Sequence, residues 1–233
     1  MRFGSLSIPF LALSLAACGS EVAESEGRAQ AGASSEAPEE ITVKGEERRI
    51  LAFGDSLFAG YGLAEHEGYP ERLQRALRQS GINATVIDAG VSGDTSAAGR
   101  QRLGFVLDQQ REKPDLVLLE LGGNDMLRGI QPADTRANFE AMLDELKRRE
   151  IPVLLMGMRA PPNYGPDYQR QFDGLYGELA SEHGVGLVPF WLESIYQDST
   201  LFLSDRIHPT AEGIDLVVED TVDDVQAALA VEG

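Results

Sequence analysis

Four short segments carry groups that together could hydrolyse an ester. They are Gly54-Asp55-Ser56-Leu57, Gly93, Gly122-Gly123-Asn124-Asp125 and Asp205-Arg206-Ile207-His208-Pro209. In this order they supply a hydroxyl nucleophile, two groups able to donate hydrogen bonds to an oxyanion, a carboxylate and an imidazole. These are the groups that acyl transfer through a covalent acyl-enzyme uses. The sequence therefore predicts an enzyme whose nucleophile is a serine.

Ser56, Asp205 and His208 have the types and spacing of a nucleophile, an orienting acid and a base. A serine hydroxyl attacks poorly until a base removes its proton. Because Asp205 and His208 lie three residues apart, one turn can place the carboxylate on one ring nitrogen and leave the other for the serine. Neither of the other two histidines has an aspartate at such a spacing. The alternative for Ser56 is that it caps a helix, a common role for serine.

Gly93 and Asn124 are the predicted oxyanion donors, together with the backbone N–H of Ser56. Negative charge develops on the carbonyl oxygen as the serine attacks, and preorganised donors stabilise it there. A glycine lets the backbone approach the substrate closely. Ser-Gly-Asp and Gly-Gly-Asn-Asp are also good turn formers, which is the alternative explanation of both segments.

Strand-like and helix-like segments alternate from Arg49 onward. The apolar pattern predicts strands over 50–53, 84–89, 116–121, 153–158 and 185–189, and helices over 70–80, 96–110, 132–150, 168–183 and 211–230. Such alternation implies an α/β fold with a parallel sheet covered by helices on both faces. In these sheets ligands bind at the carboxyl ends of the strands. Ser56, Gly93 and Asn124 each follow a predicted strand, as this rule requires.

The amino terminus has the pattern of an export signal and a lipid anchor. Residues 1–17 begin with Met1-Arg2 and continue with an apolar stretch too short to cross a bilayer, which is typical of a signal peptide. Leu15-Ala16-Ala17-Cys18-Gly19 resembles the lipobox of bacterial lipoproteins, in which the cysteine is lipidated. An ordinary secretory signal with a chance cysteine is the alternative. Residues 18–46, rich in Ser, Glu, Ala and Gly, are predicted to be a flexible acidic tether, and 47–233 the globular domain. We therefore expect an exported protein, anchored in a membrane and facing the periplasm or the cell surface.

Composition excludes some functions. The formal net charge is −18, which disfavours nucleic acid as a partner because phosphate binding needs a basic face. Three histidines and scattered acids show no zinc spacing, so no metal site is expected. Gly-Gly-Asn-Asp lacks the lysine of a phosphate-binding loop.

The motifs resemble those of the GDSL-type, or SGNH, hydrolases. The matching segments are Ala52-Phe53-Gly54-Asp55-Ser56-Leu57, Ser92-Gly93-Asp94-Thr95-Ser96, Glu120-Leu121-Gly122-Gly123-Asn124-Asp125, Pro161-Pro162-Asn163-Tyr164-Gly165 and Asp205-Arg206-Ile207-His208-Pro209-Thr210. More narrowly, the chain is similar to the bacterial acyl-thioesterase, arylesterase and lysophospholipase group. The resemblance implies Ser56 as nucleophile, His208 as base, Asp205 as its orienting acid, and Gly93 and Asn124 as oxyanion donors. It also implies a flavodoxin-like α/β/α sandwich around a five-stranded parallel sheet, and no cofactor.

The expected substrates are small esters: aryl or short-to-medium acyl esters, thioesters or lysophospholipids. Apolar residues in the loops after the strands are predicted to line the acyl groove: Phe58, Met126, Leu127, Met158, Tyr164 and Phe202. Two alternatives stay open at this point. One is a carbohydrate O-acetylesterase, and the other is a surface-binding lipoprotein without catalytic activity. The oligomeric state is not predicted.

Overall fold

The computed structural model describes residues 39–230. The predicted signal peptide (1–17), the lipidation site Cys18 and most of the predicted tether lie outside the described residues. The last part of that tether is hydrogen-bonded to the domain: Arg78 Nη1 donates to Glu40 Oε1 at 3.1 Å, and Asn83 Nδ2 donates to the Gly45 carbonyl at 3.0 Å. Between residues 39 and 230, no helix combines the length and the apolar character that crossing a membrane would demand.

Five parallel strands form one sheet. They are β1 (Arg48–Gly54), β2 (Ala84–Gly90), β3 (Leu116–Leu119), β4 (Val153–Met156) and β5 (Gly186–Val188), in the spatial order β2-β1-β3-β4-β5. The side chains of residues 50–53 and 116–119 are fully buried, because helices cover both faces of these central strands. The sheet predicted from the sequence is confirmed.

Helices cover both faces of the sheet. They are α1 (Tyr69–Gln79), α2 (Ser96–Asp108), α3 (Gly123–Leu127), α4 (Pro132–Arg148), α5 (Pro166–His183) and α6 (Ala211–Ala230), with short 3₁₀ turns at 65–67, 162–164 and 199–201. The chain moves outward from β1 to β2 and then back past β1 to β3. Because such crossovers are right-handed, α1 and α2 lie on opposite faces. Helix α1 packs against α6, whereas α2, α4 and α5 pack together, which gives the predicted three layers.

The sheet order changes direction between β1 and β3. At such a switch point the loops that leave the two strands run to opposite sides and open a crevice at their carboxyl ends. The pairing register of β1 and β3 places the carboxyl ends of the two strands side by side, with Phe53 of β1 paired to Leu119 of β3. The segments that follow these strands, beginning at Asp55 and at Glu120, therefore meet at one edge of the sheet.

Candidate active site

Ser56 lies in a tight turn immediately after β1. The turn is held by the N–H of Ala59 on the Asp55 carbonyl (3.1 Å) and the N–H of Tyr61 on the Ser56 carbonyl (3.1 Å). The following helix, α1, has Gly68 as its N-cap, so Ser56 does not cap it. The serine is 8% exposed and lines the cleft at this edge of the sheet.

The hydroxyl of Ser56 contacts the imidazole of His208, which in turn contacts the carboxylate of Asp205. Ser56 Oγ lies 2.8 Å from His208 Nε2, and His208 Nδ1 lies 2.7 Å from Asp205 Oδ2. A carboxylate can only accept, so Nδ1 carries the proton and Nε2 is left as an acceptor for the serine O–H. The three side chains thus form one continuous hydrogen-bonded chain, although Ser56 and His208 are 152 positions apart in the sequence.

Asp205 is held as an anion by three N–H donors. Besides the ring of His208, the backbone N–H groups of Ile207 and His208 donate to its Oδ1, at 2.9 and 3.1 Å. Partial burial opposes ionisation, but these hydrogen bonds outweigh it and lower the pKa of Asp205 to about 2. Asp205 therefore keeps its negative charge throughout the pH range in which a histidine base can work.

The turn that carries Asp205 and His208 is tight, and an aromatic ring covers its imidazole. Arg206, between them, has a φ of 58°, a left-handed conformation that few residues other than glycine adopt. This turn directs both side chains to the same side. The ring of Tyr61 lies over the imidazole of His208, with centroids 4.3 Å apart and planes tilted by 32°. Tyr61 thereby restricts the directions in which the imidazole can turn.

Gly93 and Asn124 line the same cleft as Ser56. Gly93 follows β2 with a φ of 87°, which suits glycine, and Arg128 Nη2 donates to its carbonyl at 2.7 Å. Asn124 is in the first turn of α3, and its Nδ2 donates to Asp55 Oδ2 at 2.8 Å. That bond uses one of the two amide hydrogens, so the second is free for a group in the cleft.

A buried carboxylate joins the loop of Gly93 to the helix of Asn124. Asp125 accepts from the N–H of Ser96 at 2.7 Å, from the Ser96 hydroxyl, and from the Thr135 hydroxyl at 3.1 Å. Ser96 is the first residue of α2, and Asp125 belongs to α3. The two proposed oxyanion donors are thus attached to one rigid network.

The cleft has a volume of about 820 Å³ and an apolar lining. Of the six residues predicted to line an acyl groove, the structure places four here: Met126, Leu127, Met158 and Phe202. They come from the segments that follow β3, β4 and β5. The cleft is large enough for a small ligand of the usual size for such sites.

Phe58 and Tyr164 do not line the cleft, and their prediction is corrected. Phe58 is 0% exposed, because the turn after β1 directs it inward, where it stacks on Tyr69 (5.2 Å) and meets Trp191 edge-on (5.4 Å). Tyr164 packs against Tyr168 at 5.3 Å, outside the cleft. Both side chains contribute to packing.

The sequence interpretation missed several aromatic and aliphatic residues of the cleft. Phe190, Leu192 and Tyr196 follow β5, and Tyr61 and Ile207 lie beside His208. The rule that ligands bind after the carboxyl ends of strands could have found the first three, since they follow the fifth predicted strand. Nothing in the sequence marks Tyr61, whose place depends on the turn geometry.

Among residues 39–230, no three histidine, cysteine, aspartate or glutamate side chains are grouped as metal ligands would be. The polar groups of the cleft instead form the hydrogen-bonded chain and the amide donors described above. They can activate a hydroxyl and stabilise an oxyanion.

Comparison with known families and proteins gives matches over most of this domain. Residues 52–216 match the GDSL-like Lipase/Acylhydrolase family. The esterase TesA of Pseudomonas aeruginosa is 40% identical over 169 residues, covering 72% of this chain and 83% of TesA. The arylesterase of Vibrio mimicus is 39% identical over 171 residues, covering 73% and 84%. Thioesterase 1/protease 1/lysophospholipase L1 of Escherichia coli is 39% identical, covering 70% and 76%.

Solved structures give the same result. The crystal structure of AlinE4, a SGNH-hydrolase family esterase, is 57% identical with a TM-score of 0.69, covering 80% of this chain and 98% of AlinE4. The crystal structure of TesA is 38% identical with a TM-score of 0.73, covering 78% and 99%. The similarity therefore includes the sheet, the helices and the segments that form the cleft.

Proposed function

This chain belongs to the GDSL-like Lipase/Acylhydrolase family, and several proteins similar to it are named esterases; from that premise we propose the role of each group in its cleft. Ser56 is the nucleophile, His208 the general base and Asp205 the acid that orients it. The N–H groups of Ser56 and Gly93 and the amide of Asn124 are the oxyanion donors. The observation that carries this proposal is the hydrogen-bonded chain of 2.8 and 2.7 Å from Ser56 through His208 to Asp205.

The reaction proceeds in two acyl transfers. His208 Nε2 takes the proton of Ser56 as Oγ forms a bond to the ester carbonyl carbon, and the carbonyl oxygen becomes an oxyanion among the three donors. The carbon–oxygen bond to the alcohol then breaks, and the imidazolium returns its proton to the leaving oxygen. Water repeats the sequence on the acyl-enzyme and releases the carboxylic acid and free Ser56. The negative charge of Asp205 stabilises the imidazolium in both steps.

Kinetics of Ser56→Ala test the nucleophile. We expect kcat for a p-nitrophenyl ester to fall by about 10⁴–10⁶ with the fold intact, because the residual rate comes from the oxyanion donors and binding alone. Turnover similar to that of the unmodified protein would remove Ser56 from the mechanism. Absence of esterase activity in both proteins would instead favour the non-catalytic lipoprotein.

The cleft favours uncharged or zwitterionic esters with a short or medium acyl chain, including aryl esters and lysophospholipids. Its lining is mostly apolar, and the names of the relatives include arylesterase, thioesterase and lysophospholipase. Two arginines line the cleft, Arg159 and Arg206, and the charge of Arg159 is paired with that of Glu193 at 2.7 Å. At long range, the formal net charge of −18 repels a polyanionic substrate such as acyl-CoA and so disfavours it.

Two measurements test the substrate class. In a series of p-nitrophenyl esters we expect activity to continue beyond acetyl, since the cleft, at about 820 Å³, has room for a longer acyl chain. Activity on acetyl esters alone would favour the carbohydrate O-acetylesterase. In the second, kcat/KM for a lysophospholipid is compared with that for acyl-CoA at low and high salt. We expect acyl-CoA to be the poorer substrate at low salt and to gain as salt screens the repulsion. A clear preference for acyl-CoA at low salt would contradict the charge argument.

For location, we propose export and membrane anchoring through a lipid on Cys18, with residues 18–46 as the tether, the active domain facing the periplasm or the cell surface. The support is the lipobox-like segment and the apolar stretch before it. The test is incorporation of labelled palmitate in a bacterial host that processes lipoproteins. We expect labelling of the full-length protein and none of Cys18→Ala. Unlabelled protein recovered from the periplasm in both cases would favour an ordinary secretory signal.

A further inference from the structure

Glu120 is a buried carboxylic acid next to the nucleophile turn, and the mechanism above does not use it. It follows the last residue of β3 and is 0% exposed. Its N–H donates to the Phe53 carbonyl of β1 at 3.0 Å, and its Oε2 accepts the N–H of Asp55 at 3.1 Å. A Cβ on Gly54 would lie 2.7 Å from Oε2, so a glycine there lets the acid approach the backbone. Glu120 therefore contacts the residue immediately before Ser56.

An ionised Glu120 would be poorly stabilised at this position. Its second oxygen, Oε1, is buried and receives no hydrogen bond from any described residue. A carboxylate would thus have one backbone donor, no solvent-facing surface and a second carboxyl group beside it. Burial, and then the charge of Asp55, raise the pKa of Glu120 well above its ordinary value. The neutral acid is the form that this environment favours.

Asp55 is also buried, and burial raises the pKa of its carboxyl, but it has more hydrogen-bond donors than Glu120, and these lower its pKa. Its Oδ1 accepts the N–H of Leu57 at 3.0 Å, and its Oδ2 accepts Nδ2 of Asn124 at 2.8 Å. Its backbone N–H donates to Glu120 Oε2 at 3.1 Å, and the two carboxyl groups lie close enough for each to affect the pKa of the other. Donors from two other residues stabilise a negative charge on Asp55, and only one stabilises a charge on Glu120. The proton between the two carboxyl groups therefore stays on Glu120, whose O–H donates a hydrogen bond to the Asp55 carboxylate.

We propose that Glu120 is a positioning residue: as a neutral acid it donates a hydrogen bond to Asp55, whose carboxylate then holds the Asn124 amide in the orientation that serves the oxyanion. The proton stays on Glu120 throughout the reaction. Since one amide hydrogen of Asn124 binds Asp55, the plane of the amide is fixed and its second hydrogen keeps a constant direction. The inference rests on the proposed function, because Asn124 acts as an oxyanion donor only if Ser56 attacks an acyl group.

The first test compares Glu120→Gln with Glu120→Ala in the full chain. Glutamine has the shape of the neutral acid and still offers a donor to Asp55, so we expect kcat to fall by no more than about fivefold, the effect of one altered hydrogen bond. Alanine leaves Asp55 without that donor and the Asn124 amide less well oriented. We expect kcat to fall by about 10- to 1000-fold, the upper limit being the loss of a whole oxyanion donor, with KM within about threefold. Equal losses in the two variants would overturn the proposal.

The second test detects the proton directly and does not depend on activity. At neutral pH the infrared spectrum is expected to contain the C=O stretch of a protonated carboxylic acid, which is lost in Glu120→Gln. Glu71→Gln is the matched control, because Glu71 is a partly buried acid in α1 that does not contact Asp55. The control should keep the band. Absence of the band in the unmodified protein, or its survival in Glu120→Gln, would refute a neutral Glu120.

These tests separate the inference from the proposed function. If Ser56→Ala remains active, the proposed function fails, whereas the infrared result still decides where the proton lies. Glu120→Ala can also fail to fold, in which case Glu120→Gln and the infrared band decide the question. Failure of Glu120→Gln to fold at neutral pH would count against the proposal, since an amide closely replaces a neutral acid.

Discussion

Replacing Asp205 with asparagine tests the orienting role of its carboxylate. Asparagine keeps the size of the side chain and one oxygen, which can still accept the backbone N–H groups of Ile207 and His208. It loses the negative charge that lies 2.7 Å from His208 Nδ1. The amide NH₂ of an asparagine turned toward the ring would donate to Nδ1, so the ring proton would move to Nε2. A protonated Nε2 cannot accept the proton of Ser56, and the base is then in the wrong tautomer.

The magnitude follows from these two losses. A hydrogen bond to a charged group contributes about 1.5–3 kcal/mol, so loss of imidazolium stabilisation alone lowers kcat by about 10- to 150-fold. The wrong tautomer extends the loss to about 10⁴, as for the corresponding change in a serine protease triad. We therefore expect Asp205→Asn to reduce kcat by about 10- to 10⁴-fold while KM changes little.

The assay is steady-state hydrolysis of a p-nitrophenyl ester, with folding checked by thermal unfolding. Asp198→Asn is the matched control, because Asp198 is also an acid in an exposed turn, and its Oδ1 accepts from the N–H of Thr200 at 2.9 Å. The control should alter kcat by less than about threefold, since Asp198 makes no hydrogen bond to Ser56, His208 or Asp205. A loss of less than tenfold in Asp205→Asn would refute the assignment of Asp205 as the orienting acid.

The same variant has a pH signature in stability. The pKa of Asp205 falls from 3.8 to about 2 on folding, so its contribution is present above about pH 4 and is lost as the pH falls through 2. The difference in unfolding free energy between the two proteins should therefore be constant above pH 4 and shrink between pH 4 and 2. A difference that grows in this interval would contradict the lowered pKa.

Three further changes test other parts of the structure. Phe58→Ala should lower the unfolding free energy by about 3–5 kcal/mol in a denaturant titration and leave the preferred acyl-chain length unchanged, because Phe58 is a core residue. A change in the preferred chain length without loss of stability would show that Phe58 lines the cleft after all. Asn124→Ala should reduce kcat by about 10²–10³, and an effect on KM alone would assign Asn124 to substrate binding. Arg206→Gly should raise the unfolding free energy by about 1 kcal/mol, since the φ of 58° at this position favours glycine. Glu150→Gly, at a φ of 55°, should have the same effect. A lower unfolding free energy in both variants would show that this backbone conformation carries no strain.

Much of the fold could be predicted from the sequence because the apolar pattern is strong. The run over 116–121 indicated a buried strand, and β3 occupies its first four residues, 116–119. Helix 211–230 was predicted at the bounds that the structure has. The five-residue helix α3 was missed, since it is shorter than the periodicity that identifies a helix.

The candidate site was predictable for the residues whose side-chain chemistry and order along the chain point to the same reaction. Ser56, Asp205 and His208 have side chains that few other roles explain jointly, and the sheet brings them together. Phe58 was misplaced because the direction of a side chain within a turn depends on the turn, and the pattern of apolar residues does not record it. The position of Glu120 was detectable in the sequence, because it is an acid within an otherwise apolar strand segment. Such an acid indicates either that the strand prediction is wrong or that the acid is buried and has a specific function.

Reaction with a fluorophosphonate, followed by mass spectrometry of the intact protein and its peptides, tests the central claim most directly. An activated Ser56 should take one phosphonyl group per chain, with the label on the peptide that contains residue 56 and with loss of activity in proportion to labelling. Ser56→Ala should remain unlabelled. Modification at any other residue, or an unmodified protein that still hydrolyses esters after full exposure to the reagent, would contradict the account.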